Sequence, residues 1–222
     1  MATSTSPLRP GSPVTLTLVS LALLLSIAFW LVAALHYFDP SGVVLNEYPG
    51  MDAGRKIGLL SHILGGTVPL FTGPFLPWLG QTRQRLALHR RLGYAYLGGA
   101  AVTCLAAFYL SLTTPIGFLF ASGLFVQTLA CIACTSLAFL AIRRRNISQH
   151  REWTIRSYIT ILSFVFFRFI FVALESMGVG GPDGKTLRLS FAAWSGWSVG
   201  LPVTEVGLQW SRLFRSPATQ AE

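Results

Sequence analysis

Residues 116–142, IGFLFASGLFVQTLACIACTSLAFLAI, contain no Asp, Glu, Lys or Arg, and the run stops at Arg143-Arg144-Arg145. A bilayer core about 30 Å thick is crossed by roughly 20 residues of helix, each rising about 1.5 Å. Only a helix satisfies its own backbone groups in lipid when the segment stands alone. The stretch therefore reads as a transmembrane helix. Segments 14–38, 57–79, 93–113, 157–177 and 190–211 read the same way. The fold class is all-α, a polytopic transmembrane helical bundle of about six helices. Residues 1–13 and 212–222 are left outside the bundle as cytoplasmic segments. The first run exceeds the roughly 7 to 15 residues of a signal-peptide core and is expected to stay as an anchor. In the second segment Pro69, Pro74 and Pro77 each remove a backbone donor, which predicts a kink or an early end.

Composition agrees. The chain is 52% hydrophobic and only 11% charged, against roughly 25% charged in a soluble domain. A net charge of +9 would suit nucleic acid if the basic residues formed one face, but long apolar spans interrupt them. The expected partner is the lipid bilayer, with a membrane partner subunit or a second copy as further possibilities, and no nucleic acid.

Lys and Arg stay on the cytoplasmic side of short loops. With six spans, both termini share a side. That side receives Arg9, then Arg83, Arg85, Arg90 and Arg91, then Arg143, Arg144, Arg145, Arg151 and Arg156, then Arg212 and Arg215. The other receives only Arg55, Lys56, Lys185 and Arg188. Both termini are thus expected in the cytoplasm, with the chain in the plasma (inner) membrane. The third span carries Gly93, Gly98, Gly99 and Ala100, small residues that let helix backbones approach in lipid.

Arg168 remains, inside the fifth span. It lies twelve residues past Arg156, about 18 Å from that boundary and too deep to reach it. A charge at such depth costs at least about 2.5 kcal/mol and calls for a partner or a wet cavity. Glu175 and Glu205 are the candidate partners, with Glu205 favoured. Either an ion pair locking two spans or a site for an anion, a substrate or a cofactor propionate would account for it.

Four histidines divide by depth, His36 and His62 toward the outer face, His89 and His150 toward the inner. Paired imidazoles at matching depths would ligate two haem b groups; headgroup contact and a core hydrogen bond are the plainer readings. His89-Arg90 is echoed by His150-Arg151, 61 residues on. Cys131 and Cys134 form a C-x-x-C pair, but burial in lipid opposes the thiolate that redox chemistry needs, so they read as packing. The glycine-rich residues 178–184 lack the strand and the Lys-Ser or Lys-Thr pair of a phosphate loop and read as an external turn. Trp153, Tyr158, Trp194, Trp197 and Trp210 are placed as interfacial anchors.

Ser61-His62 with Gly65-Gly66, Leu88-His89-Arg90-Arg91-Leu92-Gly93 with Tyr96, His150-Arg151-Glu152-Trp153 with Arg156-Ser157-Tyr158, Arg168, and Trp194-x-x-Trp197 followed by Glu205 stand in one order. That order resembles a family of predicted membrane proteins known as domain of unknown function 2306, over roughly residues 57–210. The resemblance implies a compact multi-helix membrane domain, directs attention to His62, His89, His150, Arg168 and Glu205, and implies no activity. No catalytic triad, zinc-ligand spacing or nucleotide fingerprint is found. Three functional readings stay open: a module holding a buried polar site for a small ligand or partner subunit, a haem b electron carrier, and a transporter or proton relay through His62, Arg168 and Glu205.

Overall fold

The computed structural model describes residues 13–31, 35–38, 52–81 and 85–213, almost all of them helical. They fall into two compact units, Met1–Gly117 and Phe118–Glu222. The first comprises α1 (Pro13–Phe29), a 3-10 turn (Leu35–Phe38), α2 (Ala53–Thr72), α3 (Phe75–Gln81) and α4 (Leu86–Thr113). The second comprises α5 (Phe118–Arg143), α6 (Ile147–Ser176), α7 (Lys185–Ser198) and α8 (Gly200–Leu213). Three helices, α4, α5 and α6, are long and apolar enough to cross a membrane. The chain is an all-α integral membrane protein.

In the first unit Asp52 caps α2 by accepting from the Arg55 amide at 2.8 Å. The Pro-rich second segment does end early. Pro69 is accommodated inside α2, whereas Gly73 and Pro74 separate α2 from α3. The small residues of α4 split by face. A Cβ on Gly99 would lie 2.7 Å from the Gly65 carbonyl oxygen and 2.7 Å from Pro69, so the backbones of α2 and α4 touch there. Gly93 and Gly98, by contrast, meet nothing within 4 Å. Trp30 donates its indole N–H to the Thr67 hydroxyl at 2.8 Å, tying the end of the first apolar run to α2.

In the second unit α5 and α6 form a hairpin closed by residues 144–146. Arg145 takes a left-handed φ of 59°, a conformation costing about 1 kcal/mol for a residue with a Cβ. Asn146 then caps α6, accepting from the Gln149 amide at 3.1 Å. The glycine-rich stretch after α6 is a turn, as expected, with positive φ at Gly178, Gly180 and Gly181. Arg188 binds back into it, donating to the carbonyls of Val179 at 2.8 Å and Gly181 at 3.0 Å.

Two helix starts differ from expectation. α4 begins at Leu86 rather than near 93, and α6 at Ile147 rather than near 157. Hydropathy detects only what lipid requires; Arg, Leu, Gln and Glu are good helix formers and carry the helices on past the bilayer edge. The expected last span is also not one rod. Val199 separates α7 from α8, each of 14 residues, or about 21 Å. Pro202, which has no N–H to offer the preceding turn, sits just inside α8.

Candidate functional site

The polar residues of α6 acquire partners along its length. Ser157 shares a hydrogen bond of 2.7 Å with Thr135 of α5. Thr160 donates to the Ser157 carbonyl at 2.7 Å, and Ser163 to the Thr160 carbonyl at 2.5 Å. Gln127 of α5 donates to the Ser163 hydroxyl. Gln127, Ser157, Thr160 and Ser163 are all buried. Sequence reasoning passed over this row because Ser and Thr hide in apolar runs by returning their hydroxyls to the backbone; the available signal was the spacing of three between residues 157, 160 and 163.

Arg156 supplies the first correction. Assigned above to a basic loop, it lies nine residues into α6, about 14 Å along a helix about 45 Å long. If the core is centred on α6, this is inside the hydrocarbon. Its side chain, 13% exposed, donates to Glu205 Oε2 from Nη2 at 2.5 Å and from Nε at 3.0 Å. Glu152 lies 3.5 Å away on the same helix, and the guanidinium rests 4.7 Å from the Trp153 ring centroid. Gln209 donates to Glu205 Oε1 at 2.8 Å.

Glu205 is therefore not the partner of Arg168, which was the pairing favoured from the sequence. Both acids proposed for Arg168 are engaged elsewhere. Glu175 lies 3.8 Å from Arg188, beside the glycine turn. Arg168 is half-buried and, among the described residues, has no carboxylate within ion-pair distance; its guanidinium stands 5.8 Å from the Phe171 ring centroid. Arg168 and Arg156 are about 18 Å apart along α6, so Arg168 and the Arg156–Glu205 pair stand apart within the second unit.

Beside the Arg156–Glu205 pair lies an open groove of about 710 Å³. Trp153, Arg156, Glu205 and Gln209 give it one polar strip, and Cys134, Leu201, Pro202 and Trp210 line the remainder. The Glu205 side chain is 45% exposed there. Because Pro202 and Leu201 open α8, the wall furthest from the basic turn is apolar and the polar strip lies nearer that turn.

The three candidate histidines share one arrangement. His89 Nδ1 lies 3.0 Å from the Leu76 carbonyl oxygen, and His150 Nδ1 lies 2.9 Å from the Ala138 carbonyl oxygen. Each is the fourth residue of its helix and reaches back to the helix before it. His62 Nδ1 lies 3.1 Å from the Thr103 carbonyl, while the Thr103 hydroxyl returns a hydrogen bond of 2.9 Å to the His62 carbonyl. A carbonyl only accepts, so a ring hydrogen-bonded to one donates from a protonated Nδ1; at His62 the Thr103 hydroxyl also lies 2.9 Å from Nδ1. The His36 side chain lies outside the described residues. Cys104, Cys131 and Cys134 are buried thiols without disulfides, and among the described residues no cluster of three or more His, Cys, Asp or Glu side chains is placed to hold a metal ion.

The sequence profile of the family described as "Predicted membrane protein (DUF2306)" matches residues 59–207. The chain belongs to this family. The matched region runs from α2 to α8 and contains the α5–α6 polar row, all three candidate histidines and the groove lining except Gln209 and Trp210. No curated protein and no solved structure matches the chain.

Proposed function

We propose that this membrane protein is a binding module for an amphipathic molecule seated in the groove between α6 and α8, with an ammonium head at the polar strip. The observation that carries the proposal is the half-exposed Glu205 carboxylate on the polar strip of a groove whose remaining wall is apolar. Two carboxylates, Glu205 in the groove and Glu152 on the same helix as Arg156, approach one guanidinium, and the exposed Glu205 carboxylate is the group that would attract a cation. Leu201, Pro202 and Cys134 would take the chain of the ligand. Both termini would lie in the cytoplasm, which puts the groove in the inner leaflet.

The test is lipid retention by the purified protein, read by native mass spectrometry after exchange against phosphatidylethanolamine and phosphatidylglycerol of identical chains. The native chain should keep the ethanolamine lipid severalfold better, and Glu205→Gln, which preserves shape and most hydrogen bonding, should erase the preference. If Glu205→Gln lowers thermal stability but leaves the lipid profile unchanged, the pair is only a tie between helices and the proposal fails.

The backbone carbonyls beside Nδ1 of His62, His89 and His150 favour a second reading, haem b binding. Metal-ligating histidines are commonly held at one ring nitrogen by a backbone carbonyl in this way. His62 and His89 would serve different depths, since Thr103, the partner of His62, is fourteen residues beyond His89 on α4, about 21 Å. Bound haem would supply electron transfer. Purified protein showing a Soret band lost on His89→Ala or His150→Ala would support this reading, and protein that stays colourless after incubation with haemin would remove it.

A further inference from the structure

The half of α6 furthest from the arginine-rich loop holds a cation, Arg168, that has no carboxylate within ion-pair distance among the described residues. Arg168 lies eight residues before the end of α6 at Ser176, about 12 Å from that end. With a hydrocarbon core about 30 Å thick centred on a helix about 45 Å long, Arg168 sits roughly 5 Å inside the far boundary. The expectation from sequence measured its depth from Arg156, on the cytoplasmic side; the opposite boundary is the nearer one. A long side chain spans such a distance by extending toward the interface; the guanidinium lies 5.8 Å from the ring of Phe171, one turn nearer that end of α6.

Neighbouring charges are committed. Glu175, two turns further along α6, is drawn to Arg188, which the Val179 and Gly181 carbonyls hold in the glycine turn. Around Arg168 the helix surface is apolar and open, with Phe169 at 40% and Val172 at 50% exposure. Arginine keeps its charge in proteins and presents a planar fork that matches phosphate oxygens two at a time. A permanent cation just under the interface, flanked by lipid-facing side chains and without a carboxylate among the described residues, fits an anion that approaches from the headgroup layer.

We propose that Arg168 is a phosphate-binding site at the leaflet opposite the arginine-rich turn, taking the phosphate of a lipid headgroup or a free phosphate ion. It is independent of the groove, which lies about 18 Å away along α6.

The test uses the full chain in detergent exchanged against phosphatidic acid and against diacylglycerol of the same chains, with retention read by native mass spectrometry. Phosphatidic acid should be kept about tenfold better, and Arg168→Gln should remove the difference. Glu205→Gln should leave it intact, which separates this site from the groove. Arg168→Lys keeps the charge and covers the case in which the Gln variant does not fold; without the fork it should bind phosphatidic acid severalfold more weakly. Inorganic phosphate that competes at millimolar concentration assigns the site to the free ion, and a lack of competition assigns it to the lipid. The proposal is overturned if Arg168→Gln or Arg168→Lys retains phosphatidic acid as the native chain does. It is equally overturned if Arg168→Gln converts an oligomer to a monomer with lipid retention unchanged, since the guanidinium would then serve a second copy.

Discussion

Arg156 and Arg168 stand on one helix and solve the cost of charge in lipid differently. The first is neutralised within the protein by Glu205 and Glu152; the second, without a carboxylate in ion-pair reach among the described residues, is in our proposal met by a phosphate. Breaking the Arg156–Glu205 pair removes hydrogen bonds to a charged group, each worth about 1.5–3 kcal/mol, with the lower end applying because Glu205 is 45% exposed. Arg156→Leu is therefore expected to destabilise the protein by about 1–2 kcal/mol and Arg156→Lys by less, checked by thermal unfolding in detergent. That Glu205 is a membrane-embedded acid needing a cation was legible from the sequence. Its partner was not, because residues 156 and 205 are 49 positions apart and periodicity within each helix carries no information on how two helices are registered against one another. Assigning Arg156 to a loop removed the correct partner from consideration.

Helix positions were readable to the extent that lipid dictates them. The apolar centres of α4, α5 and α6 were found, but their water-facing first turns were not, since hydropathy is silent where a helix leaves the bilayer. The small residues of the third span were noticed as a group; only the structure separates those that bear contact from those that do not. Gly99 packs against the backbone of α2 at Gly65, whereas Gly98 meets nothing within 4 Å. Gly99→Ala should cost about 1–3 kcal/mol through forced separation of α2 and α4, and Gly98→Ala should be neutral or slightly stabilising because alanine is the better helix former. Thermal unfolding of the two variants side by side tests this, and equal melting temperatures would contradict the close approach. The division of the last span into α7 and α8 was foreshadowed only by Pro202, whose consequence depends on the neighbouring Val199 and Gly200.

For the molecule as a whole, the arginine asymmetry predicts a sidedness that labelling can read. In a chain with Cys104, Cys131 and Cys134 replaced by Ser, a cysteine at Pro182 in the glycine turn should react with a membrane-impermeant maleimide added to intact cells. One at Ser148, beside the arginine-rich turn, should react only after permeabilisation, and so should cysteines added at either terminus. Labelling of Ser148→Cys from outside would invert the assigned topology. A six-residue candidate site was the aspect least legible at this scale: composition marks which residues are expensive in lipid, but bringing them together depends on packing between helices that no single helix encodes.

The paired histidines at the starts of α4 and α6 bear on how the chain is made. Each closes its turn over a short span of sequence, thirteen residues from Leu76 to His89 and twelve from Ala138 to His150. A tie so local can fasten as soon as the ribosome has delivered the second helix of a pair, without waiting for later segments. The order of synthesis thus favours assembly in two instalments, with the N-terminal pair already clasped while the C-terminal pair is still being translated.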